Sequence, residues 1–405
     1  MAIRSGDRAD VNRTAVLAHL GAHGPASRAD LARALRVSPA LMTQLIKDLL
    51  ADGLLVELSH SPSQGGRPAR MIGLVSTAGR AIGVKVAEDH LAFVEVGIDG
   101  KVGRSASAPF LASAPTVLAD LTALLKDFIA DGADTRLLGV GVGVPGSVDR
   151  QGNGLVDSTL LSWHQMPLGE TLRRELRLPV LVENNVNALA LAERLYGLGS
   201  RHDSFLVVTI GTGVGAGIVV DGVVLRGAGG GAGEIGHLPM AESGPDCTCG
   251  KSACLEAFVG EAALLDTAME RGLIGPGDGV PQLAASADAG NAAAEEIFTE
   301  AGRLLGRALA GIVQTVDPEI VIVLGEGTIA WSHWAAGFEP AFRRHLIPSR
   351  RGVGVAVEGW QDEVWAQGAA ALVLATPFDA DGVAGDQGRL VRQRLVEQSA
   401  RRAVS

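Results

Sequence analysis

All three cysteines of this 405-residue chain fall within eight positions, as Cys247-Thr248-Cys249 and Cys254, and His237 lies ten residues upstream. Three thiolates and one imidazole form a Cys3His set, the donor chemistry of a closed structural zinc site. Such a site keeps no open coordination position, so the metal acts as a clamp on the loop and a metal-dependent hydrolase is ruled out there. The alternative, reduced buried thiols gathered by chance, fits the C-x-C-x4-C spacing poorly. Glu234 and Glu256 flank the set on either side. Clustered cysteines of this kind belong to a reducing cytoplasm and not to a disulfide framework.

A chain of this length exceeds one ordinary hydrophobic core, so two or three domains are expected. The sequence opens on no charged stretch followed by an apolar one, and it has no run of eighteen apolar residues. A cytoplasmic protein with no membrane contact is therefore expected. The net charge of −10 is uneven: residues 1–75 hold nine Lys/Arg against six Asp/Glu, hence +3, which leaves −13 for the remainder. A mildly basic head on an acidic body suits a small DNA-binding module joined to a ligand-binding one.

Residues 1–78 read as that head. A helix from about 12 to 22 carries Val16, Leu17 and Leu20 inward. Ser27 caps a second helix with Leu31, Ala32 and Leu35 apolar, and Ser38 caps a third that begins at Pro39, a favoured first position for proline. In the third helix Leu41, Met42, Leu45, Ile46, Leu49 and Leu50 form one stripe, and Ala40, Thr43, Gln44 and Lys47 lie opposite. Strands at 54–58 and 71–75 follow, joined by a polar turn that ends Gly65-Gly66-Arg67-Pro68. This is the plan of an α+β winged helix-turn-helix. Its last helix enters the major groove through its N-terminal residues, here Ser38, Pro39 and Ala40 with Thr43 and Gln44 at base edges. Lys47 and the wing-tip Arg67 are then assigned to the DNA backbone or minor groove. A three-helix protein-interaction module is the other reading.

From 79 to 378 the texture is strands and glycine turns. A hairpin at 81–86 and 91–97, a helix near 116–130, and strands at 138–144, 179–182, 205–210, 218–220 and 320–324 indicate a two-lobed α/β body with a ligand cleft between its lobes. No internal repeat is evident. Gly211-Thr212-Gly213-Val214-Gly215 brings backbone N–H groups close to any oxyanion, although tight hairpins use glycine too. At Glu183-Asn184-Asn185 the carboxamides suit sugar hydroxyls; they equally suit a helix N-cap, and Asn185 can serve as both. Residues 379–405 form an arginine-bearing tail, compatible with a helix and read as a solvated face.

Together these motifs resemble the ROK family, which unites sugar kinases with repressors that carry an N-terminal winged helix. The resemblance runs from about Asn12 to Leu372. It rests on Gly143-Val144-Pro145-Gly146-Ser147-Val148-Asp149, Glu183-Asn184-Asn185-Val186-Asn187, the glycine turn, Glu234-Ile235-Gly236-His237 and the Cys247–Glu256 segment. It implies an actin/hexokinase-like body, structural zinc (Zn2+) on His237, Cys247, Cys249 and Cys254, and a sugar faced by Asn184, Asn185, Glu234, His237 and Glu256. It also implies that His237 links metal and sugar.

Departures from the kinase pattern point to a regulator. Where family kinases carry Asp-x-Gly-Gly-Thr for ATP phosphates, this chain has Lys85-Val86-Ala87-Glu88-Asp89. Their catalytic Asp is Asn185 here, which removes a proton acceptor worth about 10²–10⁴ in rate. The late Gly-Gly is Gly325-Glu326. The glycine turn then remains as architecture or as a holder for a sugar phosphate. The expected protein is a sugar-responsive repressor of carbohydrate-utilisation genes, a homo-oligomer (dimer or tetramer) on double-stranded operator DNA, released by a small-molecule sugar effector. The alternative is an ATP-dependent sugar kinase carrying a DNA-binding head.

Overall fold

Residues 137–144, Leu-Leu-Gly-Val-Gly-Val-Gly-Val, alternate branched and bare positions, and a strand sends alternate residues to opposite faces. They form a strand (β7, Leu137–Val144) buried along its whole length. Val140, Val142 and Val144 join one apolar cluster, while the glycine face receives a helix. A Cβ on Gly141 would strike the Ala369 carbonyl oxygen, and one on Gly83 that of Ala366, so only glycine allows the helix so close.

The computed structural model describes residues 16–17, 19–21, 23–58, 70–75, 78–132, 136–150, 153–359, 362–376 and 384–402. It divides into two units, 1–200 with 363–405, and 201–362. In the first unit the short strands β8 (Ser147–Val148), β9 (Val156–Ser158) and β10 (Trp163–Met166) form a sheet of their own, and β7 lies in a five-stranded sheet ordered β11-β7-β4-β5-β6. Here β4 (Arg80–Val86), β5 (His90–Gly97) and β6 (Val102–Pro109) form an antiparallel meander, and β7 and β11 (Val180–Asn184) run parallel beside β4. Helix α3 (Val117–Ala130) covers the branched face with α4 (Leu168–Leu176), while α11 (Asp362–Ala375) lies on the glycine face. Buried Glu95 on β5 holds Arg80 at 2.8 Å and Arg104 at 3.2 Å.

The second unit repeats this order. Its sheet runs β14-β13-β12-β15-β16. The meander is β12 (Phe205–Ile210), β13 (Val214–Val220) and β14 (Val223–Val224), with β15 (Ile320–Leu324) and β16 (Gly354–Val357) parallel beside β12. The duplication absent from the sequence is therefore present as topology. Strand β13 begins at Val214, not at 218, so the glycine turn shortens to Gly211-Thr212-Gly213. After the shorter helices α7 (Glu261–Glu270) and α8 (Val280–Asp288), two long ones, α9 (Ala292–Val316) and α10 (Trp331–His345), close the core around Phe298, Trp334, Phe338 and Phe342.

The head contains α1 (Arg28–Ala34), α2 (Pro39–Ala51) and a sheet of β1 (Ala26–Ser27), β3 (Met71–Leu74) and β2 (Leu55–Leu58). Ser27 and Ser38 cap their helices, accepting from the Asp30 and Leu41 N–H groups. Met42, Leu45, Ile46 and Leu49 are buried as expected, whereas Leu41 is exposed. Of the predicted first helix, residues 16, 17, 19–21 and 23 are described and helical; its start near Asn12 and the wing tip with Arg67 lie outside the described residues. One apolar cluster runs unbroken from Val16 and Ile46 of the head to Ala81, Val94 and Ala370 of the first unit.

The arginine-rich tail is not simply a solvated face. It forms α12 (Gly385–Arg402), which buries Val391 and Leu395 in that same cluster. Arg394 donates to the Leu137 carbonyl at 3.1 Å, and the Gln387 amide oxygen accepts from the Val180 N–H at 3.3 Å. Among the described residues no helix is long and apolar enough to cross a membrane.

Candidate functional site

In the second unit a glycine sets the approach to the cysteine loop. Gly233 has φ +94°, and a Cβ there would strike the Ala216 carbonyl oxygen. Its own carbonyl accepts from the Ala216 N–H at 2.8 Å, which ties the loop to β13. A single 3-10 turn, Ile235–His237, then delivers the histidine. The chain folds back on itself through Met240 N–H to Ala253 O at 2.8 Å and Leu255 N–H to Leu238 O at 2.9 Å. A tight turn, Cys247 N–H to Lys251 O at 2.8 Å, brings the first two sulfurs beside the third.

The donor atoms of His237, Cys247, Cys249 and Cys254 all lie within 4.8 Å of one another. Cys249 Sγ and Cys254 Sγ are 3.7 Å apart, and Cys247 Sγ is 3.5 Å from His237 Nδ1. Tetrahedral ligands with Zn–S near 2.3 Å and Zn–N near 2.0–2.1 Å stand about 3.8 Å (S to S) and about 3.6 Å (S to N) apart. The four residues thus fit a tetrahedral cation. Burial and the neighbouring sulfurs push the Cys254 thiol up to about 12; a divalent cation supplies the charge that holds such sulfurs as thiolates.

Two carboxylates complete the cluster. His237 turns Nδ1 to the sulfurs and Nε2 to Glu234, whose Oε2 is 3.8 Å away. A carboxylate on the second nitrogen orients a metal-binding imidazole. Burial holds the Glu234 carboxyl above its ordinary value, with Glu256 adding to the rise and His237 opposing it. Glu256, at the start of α6 (Glu256–Val259), accepts the Val214 N–H at 2.9 Å through Oε2.

The asparagines belong to the first unit. The cap of α5 (Asn185–Tyr196) is Asn184, not Asn185: its side chain accepts from the Val186 and Asn187 N–H groups and donates to the Gly146 carbonyl at 2.8 Å. Asn185 is the first helical residue and half-buried. Glu183 beneath them is buried and accepts from Asn187 Nδ2.

On the head, Ser38, Pro39, Ala40, Thr43, Gln44 and Lys47 all lie exposed at or along α2. The Thr43 hydroxyl donates to the Pro39 carbonyl at 2.8 Å and Gln44 Nε2 to Asp48 at 2.8 Å, so both side chains are steered by their own helix. A cluster missed at sequence level lies beside them. Glu57 of β2 holds Arg28 at 2.7 Å and also pairs with Arg70, joining α1 to β2 and to the residue that precedes β3. Separations of 29 and 13 residues gave no local signal for it. A cavity of about 460 Å³ opens between Arg28, Arg33, Val37 and Thr43.

The model of the ROK family matches residues 81–376, and that of the MarR family matches residues 10–65. The chain is 27% identical over 316 residues to the xylose repressor of Bacillus subtilis (strain 168), covering 77% of this chain and 81% of that protein. It is also 27% identical over 333 residues to the DNA-binding transcriptional dual regulator NagC of Escherichia coli (strain K12), covering 79% and 81%. A crystal structure of a ROK family transcriptional regulator, a homologue of the E. coli Mlc protein, superimposes with a TM-score of 0.77 at 25% identity, over 96% of this chain and 100% of that one. A Cys3His cage, a duplicated α/β body and a winged head thus meet in one chain, and that chain belongs to the ROK family.

Proposed function

We propose that this protein is a sugar-responsive transcriptional repressor of carbohydrate-utilisation genes that leaves its operator when sugar binds. The observation that carries the reading is a winged head on the same chain as a carboxylate and imidazole set braced by a Cys3His cage. Ionised carboxylates accept hydroxyl hydrogen bonds with charge assistance, which suits Glu234 and Glu256 to a polyol. We assign zinc to His237, Cys247, Cys249 and Cys254; bound there, it fixes the loop that presents those side chains. Asn184 and Asn185 are assigned to sugar hydroxyls. Asn185 is the freer of the two, because Asn184 already satisfies the cap of α5.

On DNA, Ser38, Pro39, Ala40, Thr43 and Gln44 meet the major groove, and Lys47 and Arg67 the backbone or minor groove. Two heads of a homo-oligomer read a pseudo-palindrome whose half-site spacing mirrors their own. Release requires that sugar bind more tightly to the conformation with the lower operator affinity. Fluorescence anisotropy of the promoter fragment beside the protein's own gene, titrated with free sugars, tests this. Operator binding that no sugar in the panel weakens removes the induction part of the proposal.

The reading is non-enzymatic. Asn185 accepts no proton, Asp89 in the first hairpin turn is already paired with His90 at 2.7 Å, and Glu326 packs on Gly211 of the glycine turn. No ADP release above a Glu256→Ala control is expected with ATP and any sugar of the panel; turnover above that control restores the kinase.

A further inference from the structure

We infer that the effector is an uncharged sugar, and that Glu326, acting with Glu261 and Glu256, bars phosphorylated sugars from the glycine turn beside the site. The inference deepens the proposed function and rests on it.

The turn Gly211-Thr212-Gly213 between β12 and β13 is of the kind that offers backbone N–H groups to an anion. Here the protein supplies the anions itself. The Val214 N–H is given to Glu256 Oε2 at 2.9 Å. Glu326, first residue of the 3-10 helix Glu326–Ala330, lays its carboxylate on the Gly211 α-carbon, where a Cβ would strike Oε2. Glu261 takes the Thr212 hydroxyl at 3.4 Å, and its backbone N–H donates to the Gly211 carbonyl at 2.9 Å. Three carboxylates, Glu256 and Glu261 from one stretch and Glu326 from another, thus line a turn of three residues.

Glu256 belongs to both groups. One oxygen is committed to Val214, the first residue of β13 directly after the turn, and the same side chain sits with Glu234 and His237 in the proposed sugar set. A sugar held by Glu256 is thereby next to the turn, since Glu256 Oε2 also lies against Gly213. A neutral hydroxyl arriving there can donate to a carboxylate, whereas a phosphate dianion only accepts and adds like charge. The position that would make the turn a phosphate holder is therefore the one that rejects phosphate.

The test uses full-length, zinc-loaded protein and calorimetric titration with D-xylose, D-glucose and N-acetyl-D-glucosamine, then with glucose 6-phosphate, N-acetylglucosamine 6-phosphate and inorganic phosphate. Wild type should bind at least one free sugar. It should bind the corresponding phosphate ester at least about tenfold more weakly, or not at all. Glu326→Gln, which removes charge at nearly constant size, should narrow that ratio several-fold while leaving free-sugar affinity within about twofold. A wild-type protein that binds an ester as tightly as its parent sugar overturns the inference and leaves the proposed function standing. A Glu326→Gln protein with an unchanged ratio overturns the role of Glu326. Silence toward every sugar and ester removes the proposed function and this inference together.

Discussion

Cys249 is the least buried of the three sulfurs, yet it lies 3.7 Å from Cys254 inside the cage. Serine at 249 offers a hard, protonated oxygen where the site needs a thiolate. Cys249→Ser should lower zinc from about one per chain to near zero by elemental analysis and abolish the sugar response. Wild-type protein purified without zinc would contradict the assignment outright. This site was legible in the sequence because its donors are rare residue types at close spacing. Buried Glu95 was not, since its partners Arg80 and Arg104 meet it only across the meander. Removing the buried carboxylate takes the counter-charge from Arg80, whose side chain is 8% exposed, at about 3–5 kcal/mol. Chemical denaturation of Glu95→Ala should show a loss of that size, with zinc content unchanged.

Single elements explain which strands and helices were readable. Capped α1 and α2 announce themselves through Ser27, Ser38 and Pro39. Strand β6 was missed because Val-Gly-Arg-Ser-Ala-Ser-Ala-Pro is an edge strand, mostly exposed, and lacks the apolar alternation that marks a half-buried one. On α2, Lys47 is exposed, and the proposal assigns it to the DNA backbone or minor groove. Lys47→Ala should weaken binding to all sequences alike and reduce the salt slope by about one; an altered base preference in a mixed-operator selection would contradict that role. The Arg28 hydrogen bond, then that of Arg70, holds the Glu57 carboxyl below its ordinary value. A depressed folded-state value means that this contribution is present above the unfolded value of about 4.3 and fades as pH falls through the lower folded one. Acid titration of the wild-type head resonances should report that loss, and Glu57→Gln should remove it.

For the whole molecule, the sequence conveyed a two-part α/β body but not its duplication. Each half keeps a meander with two parallel strands beside it, and topology of that kind survives when residues at matching positions differ. The first unit is also discontinuous, with the second inserted between residues 200 and 363. Its cluster ends in Val391 and Leu395 of α12. Deleting residues 385–405 should therefore lower the melting temperature of the first unit while leaving metal binding in the second intact, as calorimetry with elemental analysis can separate.

The insertion also sets an order of events on the ribosome. The second unit is synthesised whole before α11 and α12 emerge, so it can fold and assemble its Cys3His cluster first. The head shares its apolar cluster with those two helices, and at about 5–20 residues per second they follow residue 200 by roughly 10–40 s. During that interval a nascent chain exposes a winged head whose supporting core is unfinished, and the arrival of Val391 and Leu395 closes the apolar cluster beneath it.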